Sequence, residues 1–158
     1  MTTKRKRRRG RRTGMATWLK TSHLPARVTT GAFILNSGYS KRGADEGTAD
    51  QLHGFAAGTY PQLKGVDPRQ FVRLLSAGEM VLGTALLVPV IPSAVAGAGL
   101  AAFSTGLFGL YLRTPGMRRE GSLRPTEEGL SLAKDVWMLG IGASLVLDDV
   151  LERRRTRR

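Results

Sequence analysis

The longest apolar run in the chain extends from Met80 to Leu112, about 33 residues without a charged side chain. A membrane-spanning helix needs about 20 predominantly apolar residues, so this run is too long for one span and suits two. Its middle, VPVIPS, contains Pro89 and Pro92, which remove amide donors and disfavour a continuous helix. The pattern therefore predicts two membrane spans joined by a tight turn.

Helix-capping residues set the limits of these two spans. Asp67 is a favourable N-cap and Pro68 suits the first helical position, so the earlier span is predicted over about 68–90. Ser93 suits the N-cap of the later span, predicted over about 93–112. Small residues recur at every fourth position of that span and form one helix face, where a neighbouring helix can approach closely. These packing residues are Ala94, Ala98, Ala102 and Gly106.

Two weaker apolar segments, about 24–42 and 129–148, flank this pair. Their uncharged stretches are only about 13 and 12 residues long, which is typical of a core helix rather than a span. The first reaches span length if Arg27 and Lys41 snorkel to the interfaces, and the second if Lys134 and Asp135 lie at a shallow depth or pair inside the bundle. With both segments counted as spans, the prediction is an all-α transmembrane four-helix bundle. The charged residues concerned are Arg27, Lys41, Lys134 and Asp135.

The segment 43–65 between the first two spans has apolar residues at helical spacing. This spacing predicts a short amphipathic helix on the outer membrane surface. An ordinary loop with one helical turn is the alternative. The apolar residues are Ala49, Leu52, Phe55 and Ala56.

Positive charge is concentrated at the two ends of the chain. The formal net charge is +13, yet the first 20 residues hold nine Lys/Arg without an acid, and the last six hold five Arg. The tract KRKRRRGRR alone is typical of nucleic-acid binding. A soluble nucleic-acid-binding protein of 158 residues could scarcely bury the 80–112 run in a core, so that function is the least favoured. The predicted organisation is a basic tail over 1–22, a membrane domain over 23–150 and a basic tail over 151–158.

Four spans would return both basic tails to one side of the membrane. Cytoplasmic flanks carry an excess of Lys/Arg, and the tails hold fourteen of these residues against eight in the outer segments. We therefore predict that both termini are cytoplasmic and that the tails contact anionic lipid headgroups. Met15 is an alternative start, in which case the cell does not make residues 1–14.

The residue types available restrict the chemistry. Cysteine is absent, which excludes disulfides, thiolate metal sites and thiol redox reactions within the chain. Histidine occurs only at His23 and His53, which argues against a histidine metal site. No catalytic triad or phosphate-binding loop is present in the sequence. We expect no catalytic residue, no metal and no cofactor apart from a quinone. A non-catalytic role is favoured, and an enzyme stays the alternative.

Ionisable residues inside a span are costly and are therefore candidates for function. Glu79 lies about eleven residues into its predicted span, a depth of about 16 Å. One interpretation is a site for a quinone headgroup, a small polar solute or a proton. The favoured alternative is that Glu79 pairs with Lys134 or Arg73 and fixes helix packing, because the sequence shows no convergence of aromatic or histidine side chains. The candidate polar cluster in the outer half is Asn36, Lys41, Arg73, Glu79, Lys134 and Asp135.

Three stretches carry a family resemblance: GAFILNSGYSKR, AGEMVLGTALLVPVIPSAVAGAGLAAFSTGLFGLYLRTPG and AKDVWMLGIGASLVLDD. Their shared features are Gly38 with Lys41, Glu79 with Gly83, and Lys134 with Asp135. Over about 24–149 the chain resembles the DoxX-like family of small four-span membrane proteins. The Arg-, Gly- and Ala-rich composition suits a bacterium with GC-rich DNA, and hence a location in the bacterial cytoplasmic membrane.

The resemblance implies a four-helix membrane bundle more than a reaction. The family is named after a subunit of a thiosulfate:quinone oxidoreductase, and most members have no established activity. The expected function is that of a non-catalytic subunit or partner in a larger membrane assembly, with a redox or respiratory link. The alternative is a membrane carrier or enzyme that uses the cluster around Glu79 to bind a quinone headgroup or small solute.

The predicted orientation can be tested with single cysteines, since the chain has none of its own. A membrane-impermeant thiol reagent added to intact cells should label Ser122→Cys in the loop before the last span. It should leave Thr156→Cys in the C-terminal tail unlabelled until the cells are opened. Labelling of Thr156→Cys but not Ser122→Cys would reverse the assignment.

Overall fold

The structure is a computed structural model that describes residues 20–156. In that range the regular structure is helical and contains no β-strand, which confirms the predicted all-α class. The helices are α1 (Leu24–Lys41), α2 (Glu46–Thr59), α3 (Pro68–Leu87), α4 (Ser93–Arg113), α5 (Leu130–Lys134) and α6 (Val136–Thr156), with 3₁₀ turns at Thr21–His23 and Pro61–Leu63. Most of the predicted basic tail over 1–22, and the last two residues of the tail over 151–158, lie outside the described residues.

Within residues 20–156, three helices are long and apolar enough to cross a membrane. They cover Pro68–Leu87, Ser93–Arg113 and Leu130–Glu152, of which the last takes α5 together with most of α6. These three segments support the prediction of a membrane protein. The first predicted span forms the 18-residue helix α1 but is not among these three. Its crossing of the membrane stays a prediction.

The caps of α3 and α4 differ in how well the sequence predicted them. Asp67 caps α3 as expected, since its Oδ1 accepts a hydrogen bond of 2.9 Å from the backbone N–H of Gln70. The prediction that Ser93 caps α4 is wrong, because Pro92 occupies the N-cap and no side chain caps this helix. The Ser93 hydroxyl instead accepts a hydrogen bond of 3.0 Å from Arg27.

Arg27 is only 1% exposed and packs its guanidinium against the turn between α3 and α4. Its five N–H donors all have acceptors, which lie in the last turn of α3, in the following turn and at the start of α4. A helix end leaves several carbonyl groups without partners, and Arg27 supplies donors to them. The expectation that Arg27 snorkels to the interface is therefore corrected: it is a buried cap. The acceptors are the carbonyls of Ala85 (3.0 Å), Leu86 (2.8 Å), Val88 (2.9 Å) and Ile91 (2.9 Å), and the Ser93 hydroxyl (3.0 Å).

The four long helices form two closely packed pairs, α1 with α3 and α4 with α6. Glycines meet at both contacts. A Cβ atom on Gly83 would lie 2.6 Å from the Leu35 nitrogen and 2.8 Å from the Gly31 oxygen. One on Gly142 would lie 2.7 Å from the Gly97 oxygen. Glycine therefore lets the backbones of each pair approach more closely than side chains would allow.

The face of α4 that packs in the bundle is not the predicted small-residue stripe. Ala98 and Ala102 are exposed, whereas Ala96, Gly97 and Leu100 are buried. The helix is rotated so that Gly97, rather than an alanine, faces Gly142 of α6. Of the other two predicted residues, Ala94 is half-buried, and Gly106 accepts a hydrogen bond of 2.8 Å from the Tyr60 hydroxyl through its carbonyl.

The segment 43–65 contains the helix α2, which packs mainly on α3. The Asp45 carboxylate caps it by accepting a hydrogen bond of 2.8 Å from the Thr48 backbone N–H. That bond lowers the pKa of Asp45. Ala49 and Ala56 are buried, while Leu52 and Phe55 are half-buried. The apolar face of α2 therefore packs against the bundle, and we call this end of the bundle the α2 end.

Arg27→Lys tests the buried cap. A lysine ammonium has three donors, so at least two of the five acceptors lose their partner, at about 1–3 kcal/mol each. We expect the free energy of unfolding in detergent to fall by about 2–6 kcal/mol. The matched control is Arg73→Lys, because Arg73 is exposed. Equal stability losses in the two variants would contradict the assignment.

Candidate functional site

A cavity of about 380 Å³ lies among the long helices near the α2 end. We call it the central cavity. α2 contributes Leu52, Phe55 and Ala56 to its wall. The polar lining residues are Ser37, Lys41, Glu79, Ser131 and Asp135, and the other apolar ones are Phe33, Ile34, Phe71, Leu75, Phe103, Leu107, Leu110, Leu132 and Met138.

An ion pair between Lys41 and Glu79 forms one side of the central cavity. The Lys41 Nζ atom lies 2.9 Å from Glu79 Oε2, and the two side chains are 19% and 6% exposed. The same ammonium donates to the hydroxyl of Ser37 at 2.6 Å and to the Ser37 carbonyl at 3.2 Å. Lys41 is the last residue of α1, where a cation is also stabilised by the negative end of the helix dipole. The pair therefore links the end of α1 to the middle of α3.

The structure brings three of the six predicted cluster residues to the central cavity: Lys41, Glu79 and Asp135. The other three are exposed and do not line it: Asn36, Arg73 and Lys134. Arg73 precedes Glu79 by six residues, which in a helix of 3.6 residues per turn places it on another face. Arg73 lines a separate surface pocket.

The predicted partner of Glu79 is also corrected. The structure pairs it with Lys41 rather than with Lys134 or Arg73. Lys134 lines the neighbouring groove between α1 and α6 instead.

Asp135 lies between α5 and α6 and is half-buried. Among the described residues, none donates a hydrogen bond to its carboxylate or forms an ion pair with it within 4.0 Å. It lines both the central cavity and the neighbouring groove. It is thus the acidic group of the site that is available for a further contact.

Four phenylalanines line the central cavity: Phe33, Phe55, Phe71 and Phe103. The expectation that no aromatic side chains converge on the cluster is therefore wrong. They come from α1, α2, α3 and α4 in turn, so no local spacing in the sequence reveals their convergence.

One signal for this site is present within a single helix. Phe33, Ser37 and Lys41 follow one another at intervals of four residues in α1. Residues at this interval lie on one helix face. Together they mark the face of α1 that lines the central cavity.

A second polar cluster lies at the opposite end of the bundle, which we call the tail end. Lys20 forms ion pairs with Asp148 and with Glu152, the latter at 2.9 Å. These hydrogen bonds raise the pKa of Lys20. The Nε2 atom of His23 lies 2.9 Å from Asp148 Oδ2. The segment that precedes α1 therefore contacts α6 near its C-terminal end.

The central cavity combines a fixed ammonium, serine hydroxyls and a carboxylate with an aromatic wall. Its volume is within the range of about 300–1,000 Å³ that is common for small-molecule sites. The arrangement can hold a planar group that accepts hydrogen bonds. Among residues 20–156, no group of three or more His, Asp or Glu side chains is placed to hold a metal ion.

No protein-family model, curated protein or solved structure matches this chain. Membership of the DoxX-like family therefore stays a prediction. The structure does give positions for the residues of that resemblance. A Cβ atom on Gly38 would lie 2.8 Å from the Ser76 carbonyl of α3, so Gly38 is a helix contact one turn before Lys41.

A double-mutant cycle tests the ion pair. Lys41→Met leaves the buried carboxylate of Glu79 without a counter-ion, and we expect a stability loss of about 3 kcal/mol in detergent. Glu79→Gln should cost less, because the amide still accepts a hydrogen bond from Lys41. The double variant should lose less stability than the two single losses together. Additive losses would show that the two side chains do not interact.

Proposed function

We propose that this chain is a four-span integral membrane protein that binds the headgroup of a quinone in the central cavity. The observation that carries the proposal is the convergence of four phenylalanines on a cavity that also holds the Lys41–Glu79 pair. A quinone ring is planar and uncharged, and its two carbonyl oxygens accept hydrogen bonds. Aromatic walls stack on such a ring, and a serine hydroxyl, such as that of Ser131 in the lining, donates to its oxygens.

The charges of the central cavity support an uncharged headgroup over an anionic one. Lys41 is already paired with Glu79, which leaves the carboxylate of Asp135 as the remaining charge of the lining. A phosphate or carboxylate ligand would meet this like charge at close range. A neutral ring avoids that repulsion.

The proposal includes a location and an orientation. The membrane is the bacterial cytoplasmic membrane, with α1 as the first span and both termini in the cytoplasm. The contact of Lys20 with Asp148 and Glu152 supports a common side for the two tails. The central cavity then lies in the outer half of the bilayer. The basic tails contact anionic lipid headgroups on the inner side.

A second candidate function is that of a non-catalytic subunit of a larger membrane assembly of DoxX-like type. One observation favours it. The three donors of the Lys41 ammonium have three acceptors in the protein, namely Glu79 Oε2 and the two oxygens of Ser37. A lysine satisfied in this way can serve helix packing alone. In that case the phenylalanines fill space beneath α2.

Binding of a tail-less benzoquinone to the purified protein tests the first function. Phe103→Leu, on the cavity wall, should weaken binding by about tenfold, equivalent to 1.4 kcal/mol, a value within the range for aromatic contacts. The matched control is Phe108→Leu on the same helix, because Phe108 does not line the central cavity. Isothermal titration calorimetry gives both dissociation constants.

Glu79→Gln separates the two candidate functions. A stable, correctly assembled variant with weakened quinone binding supports the headgroup site. Loss of assembly with partner subunits, in a protein whose wild type binds no quinone, supports the packing role. Affinity purification in mild detergent, with identification of co-purified subunits and quinone, provides both readouts.

A further inference from the structure

A groove runs along the surface of the bundle between α1 and α6. These two helices are not a closely packed pair, since α1 packs chiefly on α3 and α6 on α4. Two spaces of about 490 and 580 Å³ lie between them, and each is lined by residues of both helices. The two spaces share Trp137 and Ile141, so together they form one groove, which we call the α1–α6 groove.

The α1–α6 groove meets the central cavity. Phe33, Ser131, Asp135 and Met138 line both spaces. A molecule with its headgroup in the central cavity can therefore extend into the groove past Phe33 and Met138. The junction contains the one carboxylate of the cavity that has no partner among the described residues, Asp135.

Charge along the α1–α6 groove is confined to its ends. Lys134 and Asp135 lie at the α2 end, and His23 and Asp148 lie at the tail end. Between these ends, the lining that the structure describes contains no charged side chain. Asp135 and Asp148 are thirteen residues apart, so the uncharged part is about 20 Å long at 1.5 Å per residue. The Thr29 and Ser144 hydroxyls in this part donate to carbonyls of their own helices, so a groove of this length suits a hydrocarbon chain.

We propose that the ligand of the central cavity enters laterally from the bilayer and that its isoprenoid tail lies in the α1–α6 groove. This inference rests on the proposed headgroup site and names the ligand more closely: a tailed, membrane-dissolved quinone rather than a free solute. The headgroup contacts Ser131 and Asp135 at the junction, and the tail runs past Trp137 and Ile141 toward the tail end. The groove is thus both the entry route and the tail site.

Gly140 provides a way to block the groove without disturbing the cavity. It is exposed, lines the groove, and a Cβ atom added there meets nothing within 4 Å. Gly140→Phe therefore places a ring in the groove from a position where the added Cβ meets no atom. Gly78 of α3 is also exposed with nothing within 4 Å, and it lines neither the groove nor the central cavity. Gly78→Phe is the matched control.

The experiment measures dissociation constants of two probes for the purified full chain in phosphatidylcholine nanodiscs. One probe is a benzoquinone with a decyl tail, and the other is the same ring without a tail. Gly140→Phe should weaken binding of the tailed quinone by about tenfold and leave the tail-less quinone unchanged. Gly78→Phe should change neither constant. Ser144→Leu, at another exposed groove position, is the second variant if Gly140→Phe does not fold.

The other outcomes overturn the inference in distinguishable ways. If wild type binds both probes and neither groove variant affects the tailed one, the tail lies elsewhere while the headgroup site stands. Equal weakening of both probes by the groove variants means that they act on the cavity and not on a tail. Competition by decylphosphocholine as effective as that by decylquinone makes the groove a general lipid contact. Absence of binding by either probe to wild type removes the headgroup site and the tail site together.

Discussion

The buried guanidinium of Arg27 is the contact on which the arrangement of α1, α3 and α4 depends. A buried guanidinium is costly unless its donors are paired, and Arg27 pairs them with the end of α3 and the following turn. The contact fixes how far α1 can slide along α3. Lys41 lies fourteen residues further along α1, or about 21 Å, and meets Glu79 there. The Arg27 contacts near the start of α1 therefore set where Lys41, at the end of the same helix, meets Glu79.

The central cavity results from how the pair α1 and α3 packs against the pair α4 and α6. Within each pair, glycines bring the backbones together, as Gly83 does for α1 and α3 and Gly142 for α4 and α6. Larger side chains are then left for the space between the pairs. The pairs meet along α3 and α4, with α2 packed across them, so they enclose the phenylalanine-lined space on that side. α1 and α6 do not pack closely on each other, so the α1–α6 groove lies between them.

Sequence reasoning predicted features that depend on neighbouring residues and missed those that depend on helix rotation. The run of apolar residues, the Asp67 cap and Pro68 located α3, and the prolines after it located the turn. The partner of Glu79 depends on which face α1 presents to α3, and no spacing within either helix gives that angle. The same holds for α4, where rotation buries Gly97 and exposes Ala98, its neighbour in the sequence. Residue spacing defines a helix face, but packing selects which face is buried.

The polar groups of the central cavity differ in whether they already have hydrogen-bond or ion-pair partners within the protein. The three donors of Lys41 are used by Glu79 and Ser37, so this ammonium has no unused donor. Asp135 differs, because among residues 20–156 its carboxylate has no hydrogen-bond donor or ion-pair partner. It also lies where the cavity and the groove meet. For the proposed quinone, the reduced form, which donates a hydrogen bond, would have its acceptor at Asp135. In this proposal the ligand meets Asp135 at the junction, while the Lys41–Glu79 pair lines the cavity and links α1 to α3.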